Sequence, residues 1–170
     1  MEAKNKTRIA VAALSLSAMG FLGIAQHEGY TERAVVPVPG DRWTVGIGST
    51  FRDDGTPVQP GDTITPPQAI KRSLSHIQKD ETALKQCVTT PLTQYEYDTL
   101  VSATYQYGVK AVCNSSMVKL ANAGRYEEAC QAYARYRFVA GRDCSIRANG
   151  CYGVHLRSQE RVKSCLGESK

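Results

Sequence analysis

Glu28 is the residue of this 170-residue chain whose setting points most directly to chemistry. It stands at the foot of an uncharged apolar stretch and opens Glu28-Gly29-Tyr30. Sixteen residues later Thr44 begins Thr44-Val45-Gly46-Ile47-Gly48, after a Pro39-Gly40-Asp41 turn. A carboxyl at a helix end, followed by a small β-hairpin, can hold one acid over a cleft. Such an acid donates a proton near neutral pH only if its pKa is raised, and burial against apolar neighbours does that. The plainer alternatives are a solvated Glu at a helix end and a half-buried strand Thr.

Other chemistries lack their residues. Gly46-Ile47-Gly48 has neither the third Gly nor the following helix of a dinucleotide loop. No G-x-S-x-G, phosphate loop or HExxH occurs. No cofactor is called for. The net charge of +5 suits an acidic partner such as an envelope polymer or an anionic membrane surface. The nine Tyr do not interleave with basic runs, which argues against nucleic acid.

Six cysteines stand at 87, 113, 130, 144, 151 and 165, and none falls in the apolar stretch or between Glu28 and Thr44. There is no CxxC pair, and His27, His76 and His155 are far apart, so the spacing is wrong for zinc and no metal is expected. Three disulfides made in an oxidising compartment are expected instead. Six cysteines allow 15 connectivities. One pair, Cys144–Cys151, closes a short loop containing Gly150.

The elements that must position the acid follow from pattern. Ala34–Val38 and Trp43–Ile47 read as short strands about the turn, with a possible third strand near Thr56–Val58. Thr65-Pro66-Pro67-Gln68 has capping-box spacing with Pro at the first helical position. The helix it starts should run to about Lys85, with Ile70, Leu74, Ile77 and Leu84 near one face. Thr93-Gln94-Tyr95-Glu96 starts another, ended by Gly108. Further helices are expected from about Ser115 to Gly124, over Tyr126–Tyr136, and from about His155 to Cys165. A hairpin lobe followed by a helical lobe makes an α+β domain with a cleft between lobes.

These residues resemble the phage-type lysozymes (glycoside hydrolase family 24). Glu-Gly-Tyr followed by Thr-Val-Gly-Ile-Gly is similar to that family's active-site segment. Leu92-Thr93-Gln94, Tyr105-Gln106-Tyr107-Gly108, Ser115-Ser116, Leu120 to Gly124 and Gly153…Arg157…Glu160-Arg161 follow in the family's order. The resemblance implies a lysozyme-like fold and a monomeric peptidoglycan muramidase. Glu28 would be the acid, and the hydroxyl of Thr44 would help hold the attacking water. Three departures matter. The family's aspartate, six residues before the Thr, is replaced by Val38, or by Pro37 if the extra residue lies in the turn. Asp41, and less readily Glu32, are the carboxylates that could stand in. Gln106 stands for a usual Asn on the substrate-facing floor, and Leu156-Arg157 for two arginines that concern packing of the last helix. The missing Asp leaves three outcomes open: inverting hydrolysis with Thr44 alone, Asp41 as base, or a lytic transglycosylase in which the sugar's 6-hydroxyl attacks. A non-catalytic peptidoglycan-binding protein is a reading of another class, and a membrane-anchored structural protein is a third.

The N-terminal stretch carries Lys4, Lys6 and Arg8 and then 17 uncharged residues, Ile9 to Ala25. As a helix at ~1.5 Å per residue it would span roughly 26 Å, just short of a ~30 Å hydrocarbon core. Nine of the 17 are Ala, Gly or Ser, so insertion should be only weakly favourable. The basic residues before it place the following chain outside the cytoplasm. Three readings compete: a signal peptide cleaved before Gln26, a permanent anchor, and a signal-arrest-release segment. The family resemblance favours the last. It divides the chain into a releasable membrane segment, 1–27, and a catalytic domain, 28–170. By the same resemblance the Sec translocon exports the chain to the host inner membrane, facing the periplasm. A holin frees it indirectly, by collapsing the membrane potential.

Overall fold

A computed structural model describes residues 7–37 and 39–168, so Val38 lies outside the described residues. The chain divides into two compact units. One is Ala18–Asp80; the other joins the residues up to Ser17 with those from Glu81 onward.

In the unit Ala18–Asp80, helix α1 (Ala18–Glu28) leads into strand β1 (Thr31–Val35), which pairs antiparallel with β2 (Thr44–Gly46). Gly29 stops α1: its φ of +72° is left-handed, and its N–H donates to Ala25 O at 2.9 Å. Thr31 pairs with Gly46 and Val35 with Thr44, so β1 carries extra residues as a bulge. The other edge of β1 bonds to residues 62–64 through Ala34 N–H to Asp62 O and Ile64 N–H to Glu32 O, both 2.9 Å. The core is Val45, Ile47, Val58, Ile64 and Ala69. Phe21 and Ala25, one turn apart on α1, pack against it with Ala34 and Trp43. The expected third strand is reduced to a single bridge between Phe51 and Pro57.

Helix α2 (Pro66–Cys87) begins as its sequence indicates, with the Gln68 side chain accepting the Thr65 N–H at 3.0 Å. Its buried face is the expected one only in part: Ile77 and Leu84 are buried, together with Ala69, Ser73 and Glu81, whereas Ile70 and Leu74 are 42% and 38% exposed. The inward stripe of the first turns is made of small residues, which apolar periodicity does not register.

Arg52 holds Asp62 through two guanidinium bonds, at 2.7 and 2.8 Å, and this lowers the Asp62 carboxyl to about 2. Because the folded value lies below the ordinary 3.8, the stabilisation is present above pH ~4 and lost as pH falls towards 2. Asp62→Asn should therefore flatten the acid side of a Tm-versus-pH curve between those limits.

In the second unit, α3 (Gln94–Tyr107) has the full capping box: Thr93 Oγ1 accepts the Glu96 N–H, and Glu96 accepts the Thr93 N–H at 2.8 Å. After α3 come α4 (Val109–Cys113), α5 (Ser116–Asn122), α6 (Tyr126–Ala132) and α7 (Tyr152–Cys165), with a small hairpin of β3 (Phe138–Val139) and β4 (Arg142–Asp143) before α7. Neither α4 nor this hairpin follows from the sequence pattern; both are too short for a period to register. All six cysteines pair, as Cys87–Cys113, Cys130–Cys165 and Cys144–Cys151, the last as expected. Replacing Cys87 and Cys113 together by Ser opens a separation of 26 residues. The expected cost is roughly 3–4 kcal/mol, measured by denaturant titration.

The stretch Ile9–Ala25 is not one helix. Ile9 forms a bridge with Leu92, Val11–Ala13 is a 3-10 turn, Leu14–Ser17 is without helix, and α1 starts at Ala18. Val11 and Leu14 are buried. No helix among the described residues is long and apolar enough to cross a membrane.

Candidate active site

Both residues singled out by spacing lie in the unit Ala18–Asp80. Glu28 is the last residue of α1 and Thr44 the first of β2. What brings the acid to the hairpin is the tight turn after β2. Val45 and Ser49 exchange both backbone hydrogen bonds, at 2.9 and 3.1 Å, and Gly46 and Gly48 both take φ of +69°. The turn presents the Gly48 Cα to the Glu28 carboxyl so closely that a Cβ there would sit 2.8 Å from Oε2. Gly46 is held by packing instead, its missing Cβ pointing 3.0 Å from Ala69 Cβ. Two glycines of one motif thus serve different ends: one seats the turn on α2, the other makes room for the acid. The spacing Gly-Ile-Gly was visible in the sequence, but its role as the seat of Glu28 was not.

Glu28 is exposed, so the apolar burial expected around it is absent from this structure. Thr44 is half-buried, and its hydroxyl donates to Arg42 O at 3.3 Å, which leaves the oxygen lone pairs free to accept from water. Asp41 is exposed and accepts its neighbour's Arg42 N–H at 2.8 Å, the ordinary behaviour of a turn aspartate. Glu32 is exposed on β1. Tyr30 anchors the chain after the acid by donating its hydroxyl hydrogen to Ile64 O at 2.8 Å. No cluster of potential metal ligands occurs among the described residues.

The phage lysozyme family model matches residues 25–158, a span that includes Glu28, Thr44 and the whole of the Gly-Ile-Gly turn. The chain belongs to the phage lysozyme family. Among its relatives are the SAR-endolysin of Escherichia phage 933W, 32% identical over 127 residues, covering 74% of this chain and 71% of that protein. The endolysin of Salmonella phage P22 is 28% identical over 138 residues, covering 78% and 90%. Among solved structures, the endolysin from Escherichia coli O157:H7 phage FAHEc1 superposes with a TM-score of 0.79 at 29% identity, covering 92% of this chain and 96% of that one. The muramidase domain of SpmX from Asticaccaulis excentricus gives 0.72 at 25% identity, covering 89% and 96%. The α+β architecture is that of the phage lysozymes.

The other departures from the phage lysozyme pattern fall in the second unit. Gln106 Oε1 accepts from Arg161 Nη2 at 2.6 Å, so its amide is committed to a buried guanidinium. Arg161 also donates to the Tyr107 hydroxyl at 3.3 Å. Leu156 is exposed, so the packing of α7 does not depend on it; Ser158, Arg161, Val162 and Cys165 make the buried face.

Proposed function

We propose that this phage lysozyme is an endolysin, a muramidase that hydrolyses the N-acetylmuramic acid–N-acetylglucosamine bond of peptidoglycan. Glu28 protonates the leaving oxygen. Thr44 accepts a hydrogen bond from the attacking water and turns the water's lone pair toward the anomeric carbon; the proton this water loses on attack passes to solvent, from which Glu28 is reprotonated. The observation that carries this reading is the seating of the Glu28 carboxyl on the Gly48 backbone, in the same turn-and-strand element that begins with Thr44. A sugar bound over this turn covers the exposed carboxyl and expels water from it. The turn bonding of Asp41 favours a site with one carboxyl. That arrangement also suits a transglycosylase, and mass spectrometry of the products from purified peptidoglycan distinguishes the two. Reducing muramic ends are expected; anhydro-muramic ends would replace hydrolysis with internal attack by the 6-hydroxyl.

The residues from Ile9 to Ala25 act, on this reading, as a signal-arrest-release segment. Export through the Sec translocon leaves the chain tethered to the inner membrane, facing the periplasm, until a holin collapses the membrane potential. The functional division is 1–27 and 28–170. Two observations support it besides the names of the relatives. The stretch has no charged residue, yet Met19 is 74% exposed and Leu22 46%, an outward apolar face that the folded unit has no use for and a bilayer has. And residues 8–17 are part of the fold: Arg8 makes a two-bond ion pair with Glu96 and lies 3.6 Å over the Tyr126 ring, while Ile9 and Leu92 exchange backbone bonds at 2.9 and 3.0 Å. A segment removed before Gln26 would forfeit those contacts.

A further inference from the structure

We infer that Glu81, Lys85, Gln94 and Asp98 form a receptor for an unwound piece of the chain's own N-terminal segment, Leu14–Ser17, so that release from a membrane includes breaking one helix into two. The inference rests on the release reading above and adds to it the place where the segment converts and the side chains that receive it.

Inside a bilayer no water or neighbouring side chain satisfies the backbone, so Ile9–Ala25 must be helical throughout when embedded. In the folded chain Leu14 is extended, at φ −88° and ψ 149°. Four consecutive residues then hand a backbone group to a side chain. Lys85 Nζ donates to Leu14 O at 2.6 Å, and Gln94 Nε2 donates to Ser15 O at 2.9 Å. Leu16 N–H donates to Glu81 Oε1 at 2.7 Å, and Ser17 N–H to Asp98 Oδ1 at 3.0 Å, with the Ser17 hydroxyl on the other carboxylate oxygen. The two cation or amide donors meet the carbonyls, and the two carboxylates meet the N–H groups, in strict sequence along the chain.

The receptor is braced from behind. Tyr97 donates its hydroxyl hydrogen to Glu81 at 2.7 Å, and Gln94 donates to Asp98 at 2.8 Å. Glu81 is only 7% exposed. A buried carboxylate is costly unless its lone pairs are satisfied, and the Leu16 amide supplies a second donor. In the folded chain the segment completes the receptor, and the receptor takes the four backbone groups that the unwound segment leaves without helical partners.

Two variants push this equilibrium in opposite directions. The Ser15 N–H makes no hydrogen bond among the described residues, and Leu14 is already in the extended region that a following proline requires. Ser15→Pro should fit the docked form and disfavour the continuous helix by on the order of 100-fold. Glu81→Ala with Asp98→Ala should instead weaken docking, by roughly tenfold for each charge-assisted bond lost. Asp98→Asn, which keeps an acceptor oxygen, should recover much of its share.

The test uses the full chain carrying Glu28→Gln, so that cells survive, with inner-membrane and soluble fractions compared before and after an uncoupler. Ser15→Pro is expected in the soluble fraction before depolarisation. The double Ala variant is expected to stay with the membrane after it. If the parent chain is released and Ser15→Pro is not released earlier, the helix conversion is wrong while the release reading stands. Equal release of parent and double Ala variant would overturn the receptor. A parent chain that never leaves the membrane overturns the release reading and this inference with it.

Discussion

Glu28→Gln is expected to lower the rate of peptidoglycan cleavage by about 10²–10⁴-fold, with little change in Tm. The amide has the size of the carboxyl and cannot supply a proton to the leaving oxygen. Because Glu28 is exposed at the end of α1, the exchange buries no new polar group and breaks no ion pair among the described residues. Turbidity loss of outer-membrane-permeabilised cells, with the variant added at equal concentration, measures the effect. Equal clearing by both proteins would remove Glu28 from the role of acid. Loss of clearing with unchanged binding to purified cell wall would separate catalysis from mere adhesion.

Gly48→Ala should be nearly as damaging to activity, for a steric reason. The added Cβ would stand 2.8 Å from Glu28 Oε2, well inside contact distance, on a backbone at φ +69° that L residues disfavour. The strained backbone costs roughly 1–2 kcal/mol. The displaced carboxyl matters more: moving a reacting group by about 1 Å is enough for on the order of 100-fold in rate. Gly46→Ala provides the contrast. It has the same φ, but its Cβ meets Ala69 Cβ at 3.0 Å rather than the acid. Its loss should show chiefly in Tm. If both variants lose stability equally and neither loses activity beyond that, the seat assigned to Glu28 on Gly48 is wrong.

Legibility followed the range of the forces involved. The capping box at Thr93 and Glu96 was readable because it is a bond between residues three apart. The start of α2 at Pro66 is likewise local. The inward face of α2 was misread in part, since Ile70 and Leu74 promised burial while Ala69 and Ser73 took it. Which face of a helix meets a neighbour is decided by the neighbour. The same holds for Gln106, whose amide could have faced solvent or substrate until Arg161, 55 positions later, claimed it.

By itself the amino-acid order determined the two residue types of the candidate site, their separation, the turn between them, the even set of six cysteines and the small-residue content of the apolar stretch. Those properties are written in neighbouring residues and in counts. Tertiary structure alone decided which cysteines meet across 26 and 35 positions, that the helix within the apolar stretch begins only at Ala18, and that Gly48 leaves its side-chain space to a carboxylate. Each depends on groups far apart in the chain arriving within a bond length or a van der Waals contact, and no local pattern encodes that arrival.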